Sequence, residues 1–156
     1  MKAASVNEIK AQLKTTTPAQ LIELCLRLAR FKKENKELLT YLLFEADDVE
    51  AYIHSVKKEM EEGFEAMNTG NLYFVKKSVR KILRTTNKYI KYTGSKLAEA
   101  ELLIYFCTLL KKYVPVQKSP ALSNLYYGQI KKIEAVVAGL HEDLQYDYLV
   151  QLDKLR

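Results

Sequence analysis

Seven cationic side chains recur at helical spacing between residues 76 and 91: Lys76, Lys77, Arg80, Lys81, Arg84, Lys88 and Lys91. At 100° per residue they fall within about 140° of arc, while Val75, Val79, Ile82, Leu83, Thr86, Tyr89 and Ile90 take the other side. One face of one helix then holds seven like charges. Such a face repels itself, and a partner bearing phosphates or carboxylates would relieve the repulsion and release counterions. Tyr73 falls on the same stripe and Tyr92 at its margin, so a ring could stack on an unpaired base beside cations that hold the phosphates. The stretch from about 72 to 92 is therefore the candidate binding face, for an acidic protein surface or a nucleic acid.

The charge around this face is uneven. The net charge is +6, from 25 basic and 19 acidic residues. Eight of the basic residues lie between Ala66 and Ala98, where there is no Asp or Glu, leaving seventeen bases against nineteen acids and a balance of −2 elsewhere. From Glu45 to Glu65 the bias reverses, with eight acids facing only Lys57 and Lys58. The plainer alternative to a binding face follows from this neighbour. An acidic helix lying antiparallel after the short turn at Asn68 to Asn71 would partly neutralise the basic one, leaving a solvated surface.

Other chemistry is thinly supported. His54 follows Glu50 by one helical turn, and His141 precedes Glu142 and Asp143. Glu50, His54 or His141 could act as acid or base in a small helical enzyme with a cleft between helices, which is the competing reading. Neither histidine has the Glu-x-x-His spacing of a carboxylate-bridged di-iron bundle, and Glu50 and His54 read more simply as a surface pair. No metal or other cofactor is expected. Five glycines, at 63, 70, 94, 128 and 139, assemble neither a phosphate-binding Gly-x-x-x-x-Gly-Lys loop nor a Gly-x-Gly-x-x-Gly fingerprint. Gly94-Ser95-Lys96 could meet an anion at a helix N-terminus, and more simply marks a helix junction. Cys25 and Cys107 sit in aliphatic runs and are expected to be reduced and buried, without the basic surroundings that make a thiol reactive. Tyr113, Tyr126, Tyr127 and Tyr146 are candidates for a contact surface, and an apolar or Tyr-rich surface could equally serve a homo-oligomer.

The elements that position these residues are helices. Eight Gly and Pro in 156 residues argue against a turn-rich β-fold. The expected fold is all-α, a compact array of seven to eight helices forming one domain over 1–156. A short first helix carries Val6, Ile9 and Leu13 behind Ser5, and is expected to act as a lid on the core. Thr17-Pro18-Ala19-Gln20 is a capping box with Pro at the first helical position, opening a second helix that runs to about Lys33. Its Leu21, Ile22, Leu24, Cys25, Leu26, Leu28 and Ala29 occupy more than half the circumference, which predicts extensive burial. Asn35 is the expected cap of a third helix through Phe44, and Asp47-Asp48 that of a fourth. The basic helix ends at Gly94, with Ser95 capping a sixth helix to Val114 whose Leu102 to Cys107 run is apolar on every side, marking it as central. Ser119-Pro120 opens the seventh, and Leu144, Tyr148, Leu152 and Leu155 pattern the last.

An internal echo links Glu37-Leu38-Leu39-Thr40-Tyr41-Leu42 to Glu101-Leu102-Leu103-Ile104-Tyr105-Phe106. It would group helices two to four and five to seven into two three-helix units stacked like a solenoid, although Leu-rich helices also resemble one another by chance. No stretch has the 18 or more apolar residues of a membrane span, and Glu8, Lys10 and Lys14 interrupt any signal-peptide core. A cytoplasmic protein is expected.

Overall fold

The computed structural model describes residues 1–156, and they are all-helical with no strand. No helix is long and apolar enough to cross a membrane. The chain divides into two compact units, Met1–Phe44 and Glu45–Arg156.

The first unit contains α1 (Val6–Leu13), α2 (Pro18–Phe31) and α3 (Lys33–Thr40), followed by a π-helical turn at Tyr41–Glu45. Capping sets the first two starts. Ser5 and Glu8 form a reciprocal box, with the Ser5 N–H donating to Glu8 Oε2 at 2.7 Å and the Glu8 N–H to Ser5 Oγ at 3.3 Å. Thr17 and Gln20 repeat it at 3.1 and 3.3 Å, with Pro18 at the first helical position. The helix-to-helix turn is a single extended residue, Lys32, and it is Lys32 rather than Asn35 that stands at the N-cap of α3, making no side-chain cap. Asn35 instead donates from Nδ2 to the Leu28 carbonyl at 2.8 Å, satisfying a group that the end of α2 leaves open.

Two expectations fail in this unit. No residue of α1 or α2 is buried, so α1 does not cap a core and α2 is not a core helix. Cys25 is correspondingly exposed. The cause is geometric: within the unit α2 packs chiefly on α3, and one neighbour of eight residues cannot cover apolar positions spread over more than half a helix.

The second unit contains α4 (Val49–Glu65), α5 (Leu72–Thr93), α6 (Lys96–Tyr113), a 3₁₀ turn at Val116–Lys118, α7 (Pro120–Ala138) and α8 (Glu142–Asp153). The division after Phe44 places α4 with α5 and α6, not in a three-helix unit with α2 and α3. As the all-round apolar pattern predicts, α6 is the central helix, packed by α4, α5, α7 and α8. Nine of its residues are buried, and Leu102, Leu103, Phe106 and Leu110 are wholly so, each contributing about 1.5–3 kcal/mol relative to exposure. Onto it α4 lays Tyr52, Ile53, Val56, Met60 and Phe64. The Phe64 ring meets Phe106 at 5.8 Å, tilted, and stacks on Tyr113 at 5.9 Å. From α7 come Leu122, Tyr126, Ile130, Ile133 and Val137, and the Tyr126 hydroxyl donates to the Leu155 carbonyl at 2.7 Å, tying down the end of the chain.

Candidate binding face on the fifth helix

The basic stripe owes its 22-residue support, about 33 Å long, to two local devices. At the N-cap, Asn71 Oδ1 accepts from the Tyr73 N–H at 2.8 Å. At the other end Gly94 takes φ +60°, a left-handed conformation that a Cβ would strain, and ends the helix where Ser95 begins α6. Between them Val75, Val79, Thr86 and Ile90 are buried and set the rotation of the helix. Thr86 satisfies its hydroxyl by donating to the Ile82 carbonyl at 2.9 Å.

That rotation sends the cations outward. Lys77, Arg80, Lys81, Arg84 and Lys91 are exposed, and Lys76 and Lys88 half-buried. Lys76, Lys77, Arg80, Lys81, Arg84 and Lys91 enter no ion pair. Lys88 lies 5.3 Å from the centre of the Tyr89 ring. Lys76, Arg80, Arg84 and Lys88 form an unbroken i, i+4 ladder of like charge, with Lys77 and Lys81 beside it, and each such step costs about 0.2–0.5 kcal/mol. Tyr73 is 64% exposed on the same helix, its ring edge-on to Phe74 at 5.4 Å. Phe74, also exposed, was not singled out by helical spacing; two adjacent rings at a helix start are the signal that could have found it.

The acidic neighbour does not neutralise this face by contact. α4 does pack on α5, but along the apolar side, and its carboxylates turn to hydroxyls. Glu59 accepts from Tyr89 at 3.1 Å, Glu61 accepts from Tyr105, and Glu65 accepts from Tyr113 at 3.4 Å. Burial, and next the Glu61 carboxylate, push the Tyr105 hydroxyl up to about 12. The remaining pairing involves α6: Lys57 meets Glu101 at 2.6 Å. Of the six cations without an ion pair, only Lys81 lines a recess that α4 and α5 share, beside Glu59 and Glu62, and it pairs with neither.

A recess of about 440 Å³ opens between α4 and α5, lined mainly by apolar groups, Val56, Met60, Met67 and Ile82 among them, with Glu59 and Lys81. The helices lie close together at Gly63, where a Cβ would stand 3.2 Å from Ile82 Cγ1. Sequence alone gave no sign of this recess, because Gly63 falls inside a helical pattern and reads as neutral. At the far end of the stripe, Lys91, Lys96 and Lys132 gather near Gly94 and Ser95. There Glu99 already meets Lys96 at 3.2 Å and Lys132 at 3.3 Å, and Ser95 Oγ accepts from the Ala98 N–H, so the junction reads as a capped helix start.

The other candidates lie elsewhere. Glu50 and His54 are exposed on α4 and make no ion pair with each other, contrary to their one-turn spacing. His141 is the exposed N-cap of α8, its Nδ1 accepting from the Asp143 N–H at 3.3 Å. None of the three lines the recess between α4 and α5. No group of three or more His, Cys, Asp or Glu stands together as a metal site. Of the four tyrosines offered as contact residues, Tyr127 and Tyr146 are exposed, Tyr113 is half-buried against Phe64, and Tyr126 is buried with its hydroxyl engaged. Compared with family models, with curated proteins and with solved structures, the chain matches none.

Proposed function

We propose that the protein is a non-enzymatic interaction module whose α5 basic face binds a single-stranded nucleic acid. The observation that carries this reading is the run of six cations, Lys76, Lys77, Arg80, Lys81, Arg84 and Lys91, without an acidic partner on a helix whose neighbour carries many acids. Phosphates would supply the missing counter-charge. The exposed Tyr73 and Phe74 rings favour a nucleic acid over an acidic protein, since an unpaired base stacks on an aromatic face beside its own phosphates. The proposal includes a cytoplasmic setting, where two unpaired cysteines stay reduced.

Fluorescence polarisation with labelled single-stranded RNA and DNA tests it. Affinity should fall as salt rises, with a slope of about 0.7 per phosphate neutralised. Arg80, Arg84 and Lys88 changed together to Glu should abolish binding while the helical circular dichroism is kept. Tyr73→Ala should weaken single strands about fivefold to a hundredfold and leave duplex binding nearly unchanged. Absence of binding to any DNA or RNA at low salt overturns the nucleic-acid reading, and binding of polyglutamate in its place assigns the face to an acidic protein.

A further inference from the structure

We propose that the recess between α4 and α5 takes one unpaired guanine of the strand bound on α5, with Glu62 reading the Watson–Crick edge of that base. The inference rests on the nucleic-acid reading of the basic face and adds to it a base preference and the residue that sets it. At about 440 Å³ the recess stands toward the small end of the roughly 300–1,000 Å³ of ligand pockets. Gly63 and Ala66 on the α4 wall carry too little side chain to fill it, and Val56, Met60 and Met67, all buried, give it an apolar lining. Two thioethers in such a lining suit a flat ring, because sulfur is polarisable and meets aromatic rings favourably.

The charged groups of the recess choose the ring. Glu62 and Lys81 line it from opposite helices, and neither side chain enters an ion pair or a hydrogen bond. Glu59, the other carboxylate there, accepts from the Tyr89 hydroxyl at 3.1 Å. A carboxylate offers two adjacent acceptors and no donor. Among the common bases only guanine presents two adjacent donors, N1–H and N2–H, on its Watson–Crick edge, so it alone can meet both oxygens of Glu62. Adenine and cytosine set a ring-nitrogen lone pair beside their amino group, and uracil and thymine flank one N–H with two carbonyls, which places lone pairs against the carboxylate. Lys81 belongs both to the basic stripe and to the recess, so the phosphate joined to the guanine keeps a cation beside it while the base enters. The acids that would repel a phosphate then meet only the donor edge of a base.

Fluorescence polarisation on the full chain, with single-stranded oligouridines that carry guanine, adenine, cytosine or hypoxanthine at one central position, is the test. The guanine strand should bind about tenfold more tightly than the adenine and cytosine strands. Hypoxanthine keeps N1–H but lacks the N2 amino group, and its strand should fall between them. Glu62→Gln, at an exposed position, should bring the guanine-to-adenine ratio to within about twofold with unchanged circular dichroism, since an amide puts a donor in place of one acceptor. Ala66→Phe, which fills the recess from an exposed position, should do the same without altering a charge. Glu50→Gln, on α4 but outside the recess, should keep the ratio of the parent. Equal, salt-dependent binding of all the strands overturns the guanine site and leaves the basic-face reading standing, as does a guanine preference that survives either Glu62→Gln or Ala66→Phe. Binding of no strand at low salt overturns both.

Discussion

Glu37-Leu38-Leu39-Thr40-Tyr41-Leu42 in the first unit and Glu101-Leu102-Leu103-Ile104-Tyr105-Phe106 in the second are nearly the same hexapeptide, yet their leucines differ in burial, while Tyr41 is buried and Tyr105 half-buried. Leu102, Leu103 and Phe106 are wholly buried, whereas Leu38 is 37% and Leu42 56% exposed. The local sequence is equally apolar in both. The difference lies in neighbours: α6 has four helices around it, whereas α3 packs chiefly on α2. Composition makes a helix able to be central, but the rest of the chain decides whether it is. The same contrast separates the two cysteines, since Cys107 lies in the core of α6 and Cys25 is open on α2.

The widest gap between these regions should appear in thiol chemistry. Burial pushes the Cys107 thiol up to about 12, while Cys25 is exposed. In dilute protein an aromatic disulfide reagent should modify Cys25 at once and Cys107 only through unfolding, a difference of about a thousandfold or more in rate. Equal rates would mean that α6 is as open as α2, which would dissolve the contrast.

Truncation comes next. Phe106→Ala should cost about 3–5 kcal/mol in urea denaturation, since the ring is fully enclosed and packs on Phe64, while Leu42→Ala should cost under about 1 kcal/mol at low protein concentration. Similar losses at the two sites would show that the turn after α3 is as enclosed as α6. The smallest expected effect concerns alkali. Tyr105 and Tyr126, in the second unit, are held up to about 12 mainly by burial. The folded state therefore retains their protons more tightly than the unfolded chain does. Stability from this source is complete below pH 10 and is lost as pH rises through about 12. Tyrosinate absorbance followed alongside unfolding should show the two hydroxyls ionising with the loss of the fold, and Tyr105→Phe should make the decline shallower. Ionisation of all eleven tyrosines near pH 10 with the fold intact would remove the burial argument.

Local signals in the chain were legible. Ser5, Thr17, Asp48, Asn71 and Ser95 cap helices where their side chains can reach a free N–H, and Gly94 stops α5 by taking a conformation that other residues avoid. The apolar arc of α5 predicted which side would be buried, and hence where its cations would point. Properties that depend on distant residues were not legible. Nothing in α2 records that its neighbour would be one short helix, and nothing in α4 records that its carboxylates would turn to Tyr89, Tyr105 and Tyr113 instead of to the lysines and arginines beyond the turn. Asn35 looked like a cap because its type suits one, yet the turn at Lys32 came three residues earlier and left it to bind Leu28.

The tyrosine bonds to α4 bear on how any polyanion would arrive. A carboxylate that accepts from a neutral hydroxyl keeps its full negative charge, so Glu59 fastens α4 to α5, and Glu61 and Glu65 fasten α4 to α6, without cancelling any of their field. The acids of α4 and the cations of α5 thus keep charge of opposite sign on one packed pair of helices. A negatively charged strand would be repelled by the acids of α4 and drawn to the cations of α5 while still about a Debye length distant. On the proposed function, that field would orient an encounter before contact.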